Sequence, residues 1–230
     1  MKPGLIVALD VDTLKKAEEM VDRLVPSVKM FKIGSQLFTA YGPEAVRMVV
    51  RKGGSVFLDL KFHDIPNTVR NAVAAGTQQG VFMMTVHASG GSEMLRAAAE
   101  GAAQKAKELK ITRPLIVGVT VLTSGDAPDA GQKVLALAKA AEEAGIDGIV
   151  CSVHETASVR RERRQNFVIV NPGIRPAGAE KGDQKRVATP QEAARAGATY
   201  IVVGRPVLEA GDPRKAAEMV LRGLDQTLGG

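Results

Sequence analysis

The chain has 230 residues and a formal net charge of +6, with 45% hydrophobic and 24% charged residues. This balance is close to that of soluble globular proteins and excludes a disordered chain, and no apolar run approaches the ~20 residues that a transmembrane helix needs. The positive charge suits an anionic ligand, but the absence of Trp and the scarcity of Tyr and Phe argue against nucleic acid, which stacks on aromatic side chains.

Short apolar runs alternate with longer amphipathic stretches along the chain. The first run, 5–9, is cut short by Asp10 and Asp12, so a core strand explains it better than a signal peptide does. Most of the runs are continuous rather than alternating, as expected of parallel strands that are covered on both faces. They predict eight strands, at 5–9, 30–33, 56–60, 81–86, 115–121, 148–151, 167–170 and 200–203.

Helical patterns fill the intervals between these runs. Thr13 is a candidate N-cap for a helix at 14–24, and Pro43 opens a second helix that Gly53 and Gly54 close. Further helices are predicted at 66–79, 92–110, 131–143, 156–164, 190–196 and 213–224. Eight repeating units that average ~29 residues give a chain near the lower size limit of a (β/α)8 TIM barrel. We therefore predict that fold, with residues 1–230 as a single domain. The main alternative, a doubly wound open sheet, would more often carry a glycine fingerprint after its first strand.

One connection, 171–188, shows neither helical nor strand periodicity. A loop of this length in a compact domain is usually a lid, a binding loop or disordered, and this one follows the seventh strand, where barrels often bind phosphate. We therefore predict a lid. Gly204 and Arg205 after the eighth strand form a candidate phosphate site, because backbone N–H groups and an arginine fork bind phosphate. Arg175 and Gln184 of the loop could close over the same phosphate.

Charged residues concentrate at the carboxyl ends of the predicted strands, where the active site of a barrel lies. Asp59 and Lys61 are two apart on the third strand, so their side chains leave the same face, and Lys32 comes from the neighbouring strand. Together with Asp64 they predict a chain of alternating charge, whose carboxylates keep Lys61 protonated as a proton donor requires. A structural ion-pair cluster is the alternative, with Asp64 serving only to cap the helix that Pro66 opens.

Seven short motifs lie at or after the ends of the predicted strands. They are Leu9-Asp10, Phe31-Lys32-Ile33-Gly34, Asp59-Leu60-Lys61-Phe62-His63-Asp64-Ile65-Pro66-Asn67-Thr68, Val86-His87-Ala88, Val121-Leu122-Thr123-Ser124, Pro172-Gly173-Ile174-Arg175 and Val203-Gly204-Arg205-Pro206. With these motifs the whole chain resembles the orotidine monophosphate decarboxylase family. The D-x-K-x-x-D core at 59–64 is shared with related sugar-phosphate enzymes, whereas the extension at 64–68 is much more specific to the decarboxylase.

The resemblance implies a homodimer that converts orotidine 5′-phosphate to uridine 5′-phosphate and CO2 without a cofactor or a metal, the last step of de novo UMP synthesis. Lys61 would donate a proton to the ring carbon that loses CO2, with Asp59 beside the departing carboxylate. Lys32 and Asp64 would complete the catalytic set, and Asp64 and Thr68 would reach the other subunit's site. The implied substrate-binding residues are Asp10, Lys32, Asp59, Lys61, Asp64, Ile65, Thr68, Thr123 or the adjacent Ser124, Arg175, Gln184, Gly204 and Arg205.

Two other functions stay open at this stage. One is a Mg2+-dependent sugar-phosphate aldolase or decarboxylase on the same scaffold, such as a hexulose-phosphate synthase, and the other is a non-catalytic protein that binds nucleotide phosphates. His63, His87 and His154 are scattered, which is poor evidence for a metal site, and we expect the first two to support the site rather than react. Cys151 is the only cysteine, so it cannot form an intrachain disulfide, and we expect a reducing cytoplasm.

Overall fold

A computed structural model describes residues 2–121, 129–176 and 187–225 of the chain. Eight parallel strands follow one another around a closed barrel in chain order, and the first strand pairs with both the second and the eighth. The predicted (β/α)8 TIM barrel is therefore confirmed, and the open sheet is excluded because an open sheet has two edge strands, whereas each of these eight strands pairs on both sides. No helix in the described ranges is long and apolar enough to cross a membrane.

The bounds of the elements agree with the predicted ones to within a few residues. The strands are β1 Gly4–Ala8, β2 Met30–Gly34, β3 Ser55–Phe62, β4 Met83–His87, β5 Leu115–Val119, β6 Gly148–Val150, β7 Val168–Asn171 and β8 Tyr200–Val203. The helices are α1 Leu14–Leu24, α2 Ser35–Tyr41, α3 Pro43–Arg51, α4 Pro66–Gln78, α5 Gly91–Leu109, α6 Ala130–Glu143, α7 Val153–Glu162, α8 Pro190–Ala196, α9 Arg205–Leu208 and α10 Pro213–Asp225. Two short helices, α2 and α9, directly follow strands and were not predicted.

Two apolar layers explain why the sequences of the strands are continuous hydrophobic runs. The outer layer lies between the barrel and its helices, and contains large buried residues such as Phe31 and Leu58. The inner layer fills the barrel and consists of Ile6, Ala8, Phe57, Met83, Val117, Val168, Val170 and Val202. Most strands are thus apolar on both faces, and the charged residues concentrate toward the strand ends.

The third strand is irregular at the point where its charged residues begin. Leu58 pairs with Met84 but Phe62 pairs with Val86, so four steps along β3 match only two along β4. Within this bulge Lys61 adopts a left-handed backbone with φ of 52°, which non-glycine residues seldom do. The prediction that Asp59 and Lys61 lie together is confirmed by contact between their side chains, but regular strand alternation does not describe this backbone.

Gly148 and Gly131 offer a matched test of the packing. A Cβ atom at Gly148 would lie 2.0 Å from the carbonyl oxygen of Val168 on the paired strand, whereas at Gly131 it would meet nothing within 4 Å. We expect Gly148→Ala to lower the free energy of unfolding by about 2–4 kcal/mol. Gly131→Ala, in α6, should raise it by about 0.5 kcal/mol. Urea denaturation measures both values, and equal stability of the two variants would contradict this account of the barrel wall.

Candidate functional site

Two adjoining cavities open at the carboxyl ends of the strands. The first, of about 220 Å³, has mainly apolar walls and is lined by Lys32, Phe57, Asp59, Lys61, Val119, Val121, Val150, Cys151, Pro172 and Val202. The second, of about 460 Å³, is lined by Ala8, Asp10, Lys32, Pro172, Gly173, Arg175, Val202, Gly204, Arg205 and Glu209. We call them the apolar lobe and the basic lobe. Because they share Lys32, Pro172 and Val202, they form one cleft at the active-site end of the barrel.

A chain of alternating charges runs along the floor of this cleft. Lys32 Nζ lies 3.1 Å from Asp10 Oδ1 and 3.6 Å from Asp59 Oδ2. Lys61 Nζ lies 2.9 Å from Asp59 Oδ1, so Asp59 is held between two ammonium groups. Gly34 leaves room for this arrangement, because a Cβ atom there would lie 3.0 Å from Lys32 Nζ. The alternating chain predicted for Lys32, Asp59 and Lys61 is confirmed.

Asp64 does not extend this chain within one subunit. Its carboxylate accepts a hydrogen bond from the Ile65 N–H at 2.7 Å, and no lysine or arginine in the described ranges forms a salt bridge with it. The helix-cap alternative is also wrong, because the N-cap of α4 is Ile65 and no side chain caps it. Asp64, Ile65 and Thr68 are all exposed, with Ile65 at 66%, and none of them lines either lobe.

Thr85 is a buried site residue that sequence reasoning missed. Its hydroxyl donates to Asp59 Oδ1 at 3.0 Å and accepts from the backbone N–H of Lys61 at 2.8 Å. One hydroxyl therefore fixes the carboxylate and the left-handed backbone of the lysine beside it. The only available signal was its place near the end of β4, which a threonine in a strand does not distinguish from ordinary packing.

The electrostatic balance at Asp59 favours its ionised form. Burial by itself would raise the pKa of Asp59. The charges of Lys32 and Lys61, with hydrogen bonds from Lys61 and Thr85, outweigh burial and hold the pKa of Asp59 below its ordinary value of 3.8. Asp59 is therefore a fixed negative charge at neutral pH, placed directly against the ammonium group of Lys61.

The basic lobe brings together residues from the loops after β7 and β8. Arg175 is only 9% exposed, and its guanidinium donates to the Ile174 carbonyl at 3.1 Å. Gly204 immediately precedes α9, and Arg205 is the first residue of that helix. The predicted meeting of Gly204, Arg205 and Arg175 around one cavity is confirmed by their shared lining of the basic lobe.

Some predicted residues lie outside the described ranges, namely Thr123, Ser124 and Gln184. The predicted lid at 171–188 is described only at its two ends. Those ends meet, because Ile174 pairs with Ala188 in a single bridge and the Arg175 N–H donates to the Ala188 carbonyl at 2.9 Å. The segment therefore leaves the barrel and returns to it at one place on the rim of the cleft.

His63 and His87 lie side by side, and Cys151 is one of the residues that line the apolar lobe. The rings of His63 and His87 lie 5.2 Å apart, and burial, together with the charges of His63 and Lys61, lowers the pKa of His87. Cys151 is buried, and Asn171 at the end of β7 donates to its carbonyl at 2.8 Å. In the parts of the chain that the structure describes, no three His, Cys, Asp or Glu side chains are grouped to hold a metal ion.

Comparison with known proteins gives a consistent likeness over nearly the full length. The model of the orotidine 5′-phosphate decarboxylase / HUMPS family matches residues 3–220. The chain is 49% identical over 229 residues to the orotidine 5′-phosphate decarboxylase of Moorella thermoacetica, covering 95% of this chain and 91% of that protein. It is 46% identical over 227 residues to that of Pseudoalteromonas atlantica, covering 95% and 96%. The crystal structure of orotidine 5′-phosphate decarboxylase from Lactobacillus acidophilus matches with a TM-score of 0.84 and 34% identity, covering 97% and 99%.

The two hydrogen bonds of Thr85 generate a stability prediction. Thr85→Val leaves both the Lys61 N–H and Asp59 Oδ1 without this partner, so the free energy of unfolding should fall by about 1–3 kcal/mol. Thr85→Ser keeps the hydroxyl and should lose less. Thr77→Val is a matched control, because Thr77 is equally buried but only donates to the Val73 carbonyl at 2.9 Å. A Thr85→Val variant that unfolds at the same urea concentration as the wild type would rule out this role.

Proposed function

We propose that this chain is an orotidine 5′-phosphate decarboxylase, which converts orotidine 5′-phosphate to uridine 5′-phosphate and CO2. The chain belongs to the orotidine 5′-phosphate decarboxylase / HUMPS family. The observation that carries this proposal is the Asp59 carboxylate held between Lys32 and Lys61 beside an apolar cavity. Relatives at 45–49% identity that bear the decarboxylase name support this activity over that of a sugar-phosphate enzyme.

The two lobes suit the two ends of this substrate. The apolar lobe, of about 220 Å³, has the size and the walls for a pyrimidine ring, and the charged residues among its described lining, Lys32, Asp59 and Lys61, all come from the paired strands β2 and β3. The basic lobe supplies two arginines and the backbone before α9 for the 5′-phosphate. Asp10 and Lys32 lie where the lobes join, which is the place for the ribose hydroxyls between ring and phosphate.

The chemistry follows from charge placed in advance. When the bond between the ring carbon and the carboxylate breaks, CO2 leaves and its bonding electron pair stays on the ring carbon. The Lys61 ammonium stabilises that developing charge and donates a proton from Nζ to the same carbon, after which the amine regains a proton from water. Because the site is fixed before the reaction, this stabilisation is greater in the transition state than in the ground state.

Asp59 and the remote phosphate have separate parts in this proposal. An ionised Asp59 beside the substrate carboxylate holds the Lys61 side chain through their ion pair, so that Nζ is aimed at the reacting carbon. Phosphate binding in the basic lobe is far from the bond that breaks, so its energy can be used to close the loop at 171–188, with Gln184 among the phosphate ligands. Thr123 or Ser124 completes the contacts to the pyrimidine.

The exposed group Asp64, Ile65 and Thr68 supports a homodimer with sites shared between subunits. A two-thirds exposed isoleucine beside a carboxylate that forms no salt bridge with any residue that the structure describes is suited to an intersubunit contact. In the dimer Asp64 would complete the charge chain of the other subunit, next to that subunit's Lys61. A single domain, a cytoplasmic location, and catalysis without a cofactor or a metal belong to the same proposal.

The activity is tested by following the ultraviolet absorbance of orotidine 5′-phosphate as it is consumed. We expect turnover by the wild type that EDTA leaves unchanged, and loss of turnover by at least about 10³-fold in Lys61→Ala, since the charge and the proton are both removed. Lys133→Ala, which changes an exposed lysine of α6, is the control and should match the wild type.

Activity that EDTA abolishes and Mg2+ restores would favour the sugar-phosphate enzyme. Tight binding of uridine 5′-phosphate without turnover would favour a binding protein.

The shared site is tested by mixing two inactive variants. Asp64→Asn and Lys61→Ala subunits, combined in one dimer, should form one site that carries both defects and one that carries neither. Activity should therefore return to about half of the wild-type value per site pair, on the symmetry of a two-fold dimer. Heterodimers verified by mass that show no recovery would place Asp64 in its own subunit's site, and an Asp64→Asn homodimer with full activity would place it outside catalysis.

A further inference from the structure

We propose that Glu209 sets the anion affinity of the basic lobe by acting as a resident counter-charge to Arg175 and Arg205. It lowers the affinity for every phosphate-bearing ligand, and so keeps the lobe free of inorganic phosphate and promotes release of the product. The effect on anion binding follows from the lobe itself, and only its consequence for turnover rests on the proposed function.

The position of Glu209 follows from the short helix after β8. The helix α9 begins at Arg205, and the Glu209 N–H donates to the Arg205 carbonyl at 2.9 Å. Residues four apart on a helical turn lie on the same face, and both side chains line the basic lobe. Glu209 is also exposed, so its carboxylate is in contact with solvent while it lines the lobe.

Arg175 is the second arginine of the lobe on which Glu209 acts. Burial and the like charge of Arg205 lower the pKa of Arg175, and the charge of Glu209 acts in the opposite direction. All three residues line the basic lobe, so the charges of Arg205 and Glu209 both act on Arg175 there. The two arginines repel each other when the lobe holds no anion, and the carboxylate partly relieves that repulsion.

The charges that line the lobe show what Glu209 does to a ligand. Asp10 and Lys32 pair with each other at 3.1 Å, and the other charged residues that line the lobe, within the described part of the chain, are Arg175, Arg205 and Glu209. A phosphate monoester carries a charge of about −1.5 to −2 at pH 7, which the two arginines alone would balance. With Glu209 present, every phosphate is bound against one like charge.

This like charge affects the occupancy by small and large ligands differently. Inorganic phosphate has only the lobe to hold it, so a several-fold loss of affinity leaves the site largely free of it. A nucleotide also fills the apolar lobe and contacts Asp10 and Lys32, and it stays bound despite the same loss. The uniform weakening also increases the rate at which uridine 5′-phosphate dissociates.

The test is direct titration of the intact protein with inorganic phosphate and with uridine 5′-phosphate by calorimetry. In Glu209→Gln, binding of both should become about three- to tenfold tighter at low ionic strength, and the gain should shrink toward unity at ~0.5 M salt. Glu209→Ala removes the same charge without a hydrogen-bonding group and should behave alike. Glu209→Asp keeps the charge and should stay within about twofold of the wild type. Glu143→Gln, at an exposed carboxylate of α6, is the control and should change nothing.

The sign of the change decides the question. A residue that merely supported Arg205 would weaken binding when changed, so unchanged or weaker phosphate binding in Glu209→Gln and Glu209→Ala would overturn the proposal. A wild-type protein that binds neither ligand would overturn it as well. These titrations need no turnover. A protein that binds phosphate more tightly after Glu209→Gln, but does not decarboxylate orotidine 5′-phosphate, would refute the proposed function and leave this inference standing.

Discussion

The ion pairs around Asp59 are the interaction on which the rest of the site depends. A carboxylate at the mouth of an apolar barrel is expensive to desolvate unless opposite charges surround it. Lys32 and Lys61 supply those charges from two neighbouring strands, at 3.6 and 2.9 Å. Asp59 pairs with both ammonium groups, so the three groups hold one another in register. The barrel contributes to this arrangement because β2 and β3 end at the same level.

Much of the fold was predictable because its signal is local. Continuous apolar runs, a threonine before α1 and prolines at the starts of α3 and α4 mark the elements, and the regular alternation of strand and helix leads to a barrel. The short helices α2 and α9 were missed because they are one or two turns long and follow strands without a separating loop. Such short helices depend on the course of the chain at the barrel rim, and they leave no periodic pattern in the sequence.

The candidate site was predictable in its membership more than in its geometry. Strand ends and spacing identified Asp59, Lys61 and Lys32, but the bulge in β3 and the role of Thr85 depend on how β3 and β4 align. That register is a tertiary property. For Asp64 the spacing was misleading. It predicted a place in the chain of charges, but in the folded subunit the Asp64 carboxylate accepts a hydrogen bond from the Ile65 N–H instead. Its assignment to a neighbouring subunit comes from family likeness and from its exposure.

The left-handed backbone of Lys61 sets backbone preference against charge at one residue. Glycine, and to a lesser degree asparagine, adopt this conformation more readily than lysine does, and the difference for a single strained residue is about 1 kcal/mol. Replacing the lysine would, however, leave the buried carboxylate of Asp59 without one of its two cationic partners, and that loss is larger than the relief of strain. The barrel therefore keeps a strained residue because its charge is needed there, and stability and a cation beside Asp59 require the same side chain at this position.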